Sequence, residues 1–81
     1  MEDIQNRLKY TKRDDGYIIS TVSSYDNWYG PYETAIRTEE SNWRVAEGYG
    51  NEEDALEGHE KYCTMSEEEI DEIEYIQEII W

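Results

Sequence analysis

The sequence is poor in cross-links, in long apolar runs and in bases, and each shortage narrows the field. Cys63 is the single cysteine of 81 residues and cannot close an intrachain disulfide, which excludes a disulfide scaffold and suits a reducing compartment. No apolar run approaches the roughly 18 residues of a membrane span. The start, Met1-Glu2-Asp3-Ile4, lacks the basic and apolar regions of a signal peptide, so a cytoplasmic location is expected. Only 7 Lys and Arg face 21 Asp and Glu, a formal charge of -14. That balance argues against direct binding to nucleic acid or to an anionic membrane, because counterion release needs cations on the protein. Phenylalanine is absent, so the three Trp and eight Tyr give every aromatic side chain a polar handle. This aromatic content is too high for a disordered acidic chain. The length allows one domain, residues 1–81, with a thin core.

The charge is unevenly placed. Residues 1–46 hold eight acids and six bases, whereas residues 47–81 hold thirteen acids and one base, Lys61. The acidity therefore belongs to the C-terminal part.

The N-terminal part reads as sheet, over about residues 8–48. Leu8 to Arg13 and Tyr17 to Val22 flank Asp14-Asp15-Gly16, a strong hairpin signal because Gly takes φ > 0 at no steric cost. The first of these runs is the less secure: Ile4 and Leu8 stand four apart, so residues 2–13 suit a strand or a short opening helix. Asp26 to Pro31 is dense in turn formers and reads as a loop. Tyr32–Thr38 and Asn42–Ala46 read as two further strands, with Trp43 alternating with Val45 toward the core, and Glu39-Glu40-Ser41 joining them.

Two helices are expected next, at about 52–64 and 67–80. Asn51 is a good N-cap and Glu52, Glu53 and Asp54 fill a first turn, where the helix dipole favours anions. Ala55, Leu56, His59, Tyr62 and Cys63 then fall on one face. Ser66 with Glu69 makes a capping box for the second helix, whose apolar stripe is Ile70, Ile73, Ile76 or Gln77, and Ile80, ending at Trp81. The class is α+β: a three- to four-stranded antiparallel meander followed by two acidic helices packed on one face. An exposed stripe of this kind favours a homodimer through the last helix.

Little here suggests catalysis or a bound cofactor. His59 and Cys63 lie one helical turn apart, but a structural zinc site wants four ligands and no other His or Cys exists to supply them. A buried, hydrogen-bonded His59 is the simpler reading. Ser20, Ser23, Ser24 and Cys63 lie in no nucleophile elbow, and Gly48-Tyr49-Gly50 is too short for a phosphate loop. No metal, cofactor or enzymatic activity is expected.

The acids carry more information. On a helix over 67–80, Glu67, Asp71, Glu74 and Glu78 would form one outward row, with Glu68 and Glu72 beside it and Glu57 and Glu60 on the preceding helix. Seven acids from Glu67 to Glu78 would span about 18 Å of helix axis. A nucleic-acid duplex carries roughly ten phosphates over that length. Like charges at i, i+4 destabilise a helix, and a face needed only for solubility could have alternated Lys with Glu. In the loop, Trp28, Tyr29 and Tyr32 surround Gly30-Pro31. Trp and Tyr are common binding hot spots, although Trp28 could equally fold back to cap the core.

Three segments carry a resemblance: Ile19-Ser20-Thr21-Val22, Tyr32-Glu33-Thr34-Ala35-Ile36, and Tyr49 through Gly58-His59-Glu60. Together they resemble a group of small bacteriophage proteins with an I-S-T-V strand, an aromatic-E-T strand and a Y-x-T-E-x-E-A-x-x-G-H segment. The likeness covers about residues 17–63, with Asn51 where that group has Thr, and the acidic segment after Met65 reads as an addition. It implies phage origin and no activity. In size and charge alone the chain is also similar to acidic DNA-mimic anti-CRISPR and anti-restriction proteins. The expected function is inhibition of a basic, nucleic-acid-binding host defence protein in the bacterial cytoplasm. The alternative is a virion or assembly protein binding through the aromatic loop of Trp28, Tyr29 and Tyr32.

Overall fold

The computed structural model describes residues 5–24 and 30–78. Its elements are β1 (Gln5–Lys12), β2 (Ile18–Ser24), β3 (Tyr32–Arg37), β4 (Arg44–Tyr49), α1 (Glu52–Thr64), α2 (Glu67–Asp71) and β5 (Gln77–Glu78). The sheet order is the chain order and every pairing is antiparallel. The fold is α+β: a four-strand meander, two helices, and a two-residue strand that returns to the edge of β4. α1 lies across β1, β2, β3 and β4.

Residues 5–12 are strand rather than helix. The β1–β2 hairpin closes with the Arg13 N–H donating to the Tyr17 carbonyl at 2.8 Å and the Gly16 N–H donating to the Arg13 carbonyl at 3.2 Å. Gly16 has φ of 97°, the left-handed conformation that a three-residue hairpin loop requires of its last residue. Arg13 fixes this loop with a forked pair to Asp15 at 3.1 and 2.5 Å, and reaches α1 by donating to the Tyr62 carbonyl at 2.8 Å. Burial alone would push the Asp15 carboxyl up, but the Arg13 fork and the Tyr17 N–H hold it below its ordinary value.

Alternation assigns the two sheet faces. Tyr17, Ile19 and Thr21 point toward α1, as do Thr34 and Ile36, which pair with Thr21 and Ile19. An irregularity in the β3–β4 ladder leaves Ala46 without a partner, so Glu47 and Tyr49 share the α1 face while Val45 turns to the other. Tyr17, Ile19, Ile36, Tyr62 and Ile70 form the core on the helix side, with Ala46, Cys63, Met65, Ile73 and Tyr75 packed against it. Ile18, Ala35 and Val45 are buried on the opposite face.

The second helix is much shorter than the 67–80 span its pattern predicts. Its capping box forms as expected, with Ser66 Oγ accepting from the Glu69 N–H and Glu69 accepting from the Ser66 N–H. It then ends at Asp71, and Gln77–Glu78 pairs with Arg44 and Val45. Three causes act together. Glu67, Glu68, Glu69, Asp71 and Glu72 repel one another with no base in the last turn. Tyr75 folds back so that its hydroxyl donates to the Ile70 carbonyl at 3.1 Å, joining the Ile73 N–H, which donates to the same oxygen at 3.3 Å. Arg44 stacks on the Tyr75 ring at 4.2 Å, and the Ile76 N–H donates to the Val45 carbonyl at 2.8 Å, drawing the chain onto the open edge of β4. The expected isoleucine stripe is therefore not a helix face: Ile70 is fully buried, Ile73 half-buried and Ile76 exposed. Ile80 and Trp81 lie outside the described residues.

Trp43 also departs from expectation. It precedes β4, is half-buried, and lies under Arg37 at 5.3 Å instead of in the core. Because Ile70 alone carries α2 into the core with no exposed atoms, Ile70→Ala should lower stability by about 2–4 kcal/mol. Urea unfolding followed by tryptophan fluorescence measures this, with an unchanged m value showing that the fold is kept.

Candidate functional site

α1 begins where the sequence places it. Asn51 Oδ1 accepts from the Asp54 N–H at 2.8 Å, and the helix runs thirteen residues. Its inner face is Ala55, Gly58, His59 and Tyr62, spaced at three and four. Beneath it lies a buried series of polar side chains. Tyr49 Oη donates to Thr34 Oγ1 at 3.1 Å, Thr34 and Thr21 share a hydrogen bond of 2.6 Å, and Thr21 meets His59 Nδ1 at 2.8 Å. His59 Nε2 meets Thr11 Oγ1 at 3.0 Å. Four strands and α1 are thereby joined side chain to side chain.

Counting protons orients the series. Tyr49 supplies one proton to Thr34. Each remaining hydroxyl then has a use if Thr34 donates to Thr21, Thr21 donates to Nδ1, and Nε2–H donates to Thr11. With Tyr49 donating to Thr34, the neutral ring carries its proton on Nε2; with Nδ1 as donor the series runs the other way, from Thr34 to Tyr49 and from Tyr49 to Glu47. His59 has no exposed atoms, and burial, then the nearby Lys9, holds its pKa below the ordinary value. Burial likewise pushes the Tyr49 phenol up.

Gly58 is what lets this happen. A Cβ at Gly58 would stand 2.1 Å from Tyr49 Oη and 2.4 Å from Cζ, so the tyrosine reaches Thr34 by passing directly under the bare helix backbone. The sequence pairs His59 with Cys63 as a conceivable metal half-site. In the structure both ring nitrogens are engaged by threonines, and no group of three His, Cys, Asp or Glu among the described residues is placed to hold a metal.

The outer layer is acidic. Glu57, Glu67, Glu68, Glu72 and Glu74 are exposed. Three ion pairs occur among the described residues: Lys9–Glu60 at 2.6 Å, Arg13–Asp15 at 2.5 Å and Lys61–Glu47 at 3.0 Å. Lys9 therefore neutralises Glu60, and the pair draws the Glu60 carboxyl down and the Lys9 ammonium up. Asp71 accepts a hydrogen bond from the Tyr17 hydroxyl, which anchors α2 and raises the Tyr17 phenol to about 12. Arg7, Arg37 and Arg44 stack on Tyr10, Trp43 and Tyr75. The continuous helical row of Glu67, Asp71, Glu74 and Glu78 is thus corrected. Asp71 serves packing, Glu74 follows the helix end, and Glu78 belongs to β5. Trp28 and Tyr29 lie outside the described residues.

No family model, curated protein or solved structure matches the chain. No helix among the described residues is long and apolar enough to cross a membrane.

Sequence reasoning missed the roles of Thr11, Thr21, Thr34, Tyr49 and Gly58, although four of the five stand in the quoted motifs. Two variants test the arrangement. Gly58→Ala, which in an open helix would stabilise by roughly 1 kcal/mol, should instead lower the unfolding midpoint because of the Tyr49 clash. Thr34→Val leaves Tyr49 and Thr21 short of a partner and should cost about 1–3 kcal/mol, read from the same denaturation curve.

Proposed function

We propose that this chain is a phage-encoded binding protein, not an enzyme, which inhibits a basic nucleic-acid-binding host protein by presenting carboxylates where that protein expects phosphates. One observation carries the reading. Glu52, Glu53, Glu57, Glu67, Glu68, Glu72 and Glu74 are exposed and form no ion pair among the described residues, while six of the seven bases are held in pairs or aromatic stacks. Unneutralised carboxylates on a helical surface repel one another, a cost that a basic groove would relieve. The resemblance of three segments to phage proteins supports the origin, and likeness in size and charge to anti-CRISPR proteins supports the target class. The host cytoplasm is the matching location.

The surface that matters is Glu57, Glu67, Glu68, Glu72 and Glu74, since Glu60 and Asp71 are taken by Lys9 and Tyr17. The experiment is a pull-down from bacterial lysate, repeated with competing duplex DNA and at raised salt. A nucleic-acid-binding protein released by both supports mimicry, because association built on surface charge weakens as screening rises. Recovery of phage structural proteins unmoved by DNA would overturn it. Replacing Glu57, Glu67, Glu68 and Glu72 by Lys should abolish capture while the far-ultraviolet circular dichroism spectrum stays unchanged.

A further inference from the structure

His59 is the least ordinary group in the protein: an ionisable ring with no exposed atoms, bonded at both nitrogens, at the centre of the α1–sheet contact. We infer that His59 is a proton-operated latch, whose protonation releases α1 from a sheet that itself stays paired. The inference is independent of what the acidic surface binds.

The latch follows from the surroundings of the ring. An imidazolium donates from both nitrogens, so Nδ1–H must point at Thr21 Oγ1. Thr21 then turns its proton to Thr34, Thr34 turns its own to Tyr49, and Tyr49 turns toward Glu47, its other hydrogen-bond partner. The whole buried series must reverse, and a new cation is buried. Glu60 favours the charged ring, but burial and Lys9 outweigh it. β2, β3 and β4 present the hydroxyls of Thr21, Thr34 and Tyr49. β1 presents the hydroxyl of Thr11 and the ammonium of Lys9, which repels an imidazolium. α1 presents Glu60, already bound by Lys9, and the Cys63 thiol one turn further on. Glu47, the β4 carboxylate on this face, is held by Lys61. A buried cation without a partner is costly enough to be relieved by opening.

The sheet and the helix are held by different forces, so they can part. β1 to β5 are joined by backbone ladders, and Ile18, Ala35 and Val45 remain buried on the face away from α1. α2 and β5 are tied to the sheet separately, through Tyr17–Asp71, Arg44–Tyr75 and Ile76–Val45. α1 is held by side-chain contacts rather than by a backbone ladder: His59 on the threonines, Tyr62 in the apolar core, and Lys9, Lys61 and Arg13 at its margins.

The sign is fixed by linkage. The ring binds its proton less readily folded than released, so the closed state loses ground as pH falls through the ordinary value of 6.5, and loses nothing above it. Glu60 and Asp15 are shifted down from ordinary values of 4.5 and 3.8 and act below that window. Glu33 is raised by burial, so acid favours the folded state through it, the opposite slope.

The test is amide hydrogen exchange of the full chain from pH 7.5 to 5, corrected for intrinsic rates, with the His59 ring resonances followed in parallel. Below about pH 6.5 the opening constant of α1 should rise up to tenfold per pH unit while β2 and β3 amides keep their protection. His59→Gln, which cannot take up a proton, should remove that dependence. Protection of α1 that is flat with pH, loss of β2 and β3 in step with α1, or an unchanged pH dependence in His59→Gln would each overturn the latch. If the variant does not fold, the order of loss in the native chain decides alone.

Discussion

Everything in this fold turns on the hydrogen-bonded series Tyr49–Thr34–Thr21–His59–Thr11. It runs across the sheet under α1, with one member from each of four strands and one from the helix. An 81-residue chain in which 37% of residues are hydrophobic has little apolar surface with which to select one packing of a helix on a sheet. A polar series satisfied in only one orientation does that selection, because any slip in register strands a buried donor or acceptor. The apolar core of Tyr17, Ile19, Ile36, Tyr62 and Ile70 supplies the driving force beside it.

This arrangement accounts for the residue choices in three separated segments of the chain. Thr21 is the third residue of the I-S-T-V strand, Thr34 closes the aromatic-E-T strand, and Tyr49, Gly58 and His59 punctuate the last segment. Each residue makes chemical sense only through the others. The glycine admits the tyrosine, the tyrosine supplies the proton that orients two threonines, and the threonines set the tautomer of the histidine. The pattern is therefore one of architecture, and it says nothing about what the outer surface binds.

Much of the fold was legible because local rules sufficed. Asp14-Asp15-Gly16 made the hairpin, Asn51 and Ser66 made their caps, and strands followed by helices gave an α+β meander. The errors lie where a local period met a tertiary force. Ile70, Ile73 and Ile76 keep helical spacing, yet Tyr75 on Arg44 and the open edge of β4 turn the chain into strand pairing. Isoleucine, with its branched Cβ, suits either state, so period alone could not decide. The acidic row inherited that error, since it was read on a helix that stops at Asp71. His59 was read correctly as buried and bonded. Its partners, brought from strands 38 and 48 residues away, were not readable from spacing.

The same contacts shape the charge distribution. Lys9 and Lys61 pair across the α1–sheet contact with Glu60 and Glu47, and Arg13 crosses it to the Tyr62 carbonyl, so these bases fasten the helix to the sheet. Arg7, Arg37 and Arg44 spend their guanidinium faces on aromatic rings. Bases used in this way cannot also offset the carboxylates that α1 and α2 turn outward. α1 is thus fastened at its margins by ion pairs, while the outward carboxylates of Glu57, Glu67, Glu68 and Glu72 form no ion pair among the described residues. A latch under α1 would act on this division directly: opening it parts Lys9 from Glu60 and Lys61 from Glu47, leaving two surface carboxylates and two surface ammonium groups unpaired. Apart from the proton taken up by His59 the net charge would not change, but its arrangement would, and electrostatic recognition responds to arrangement.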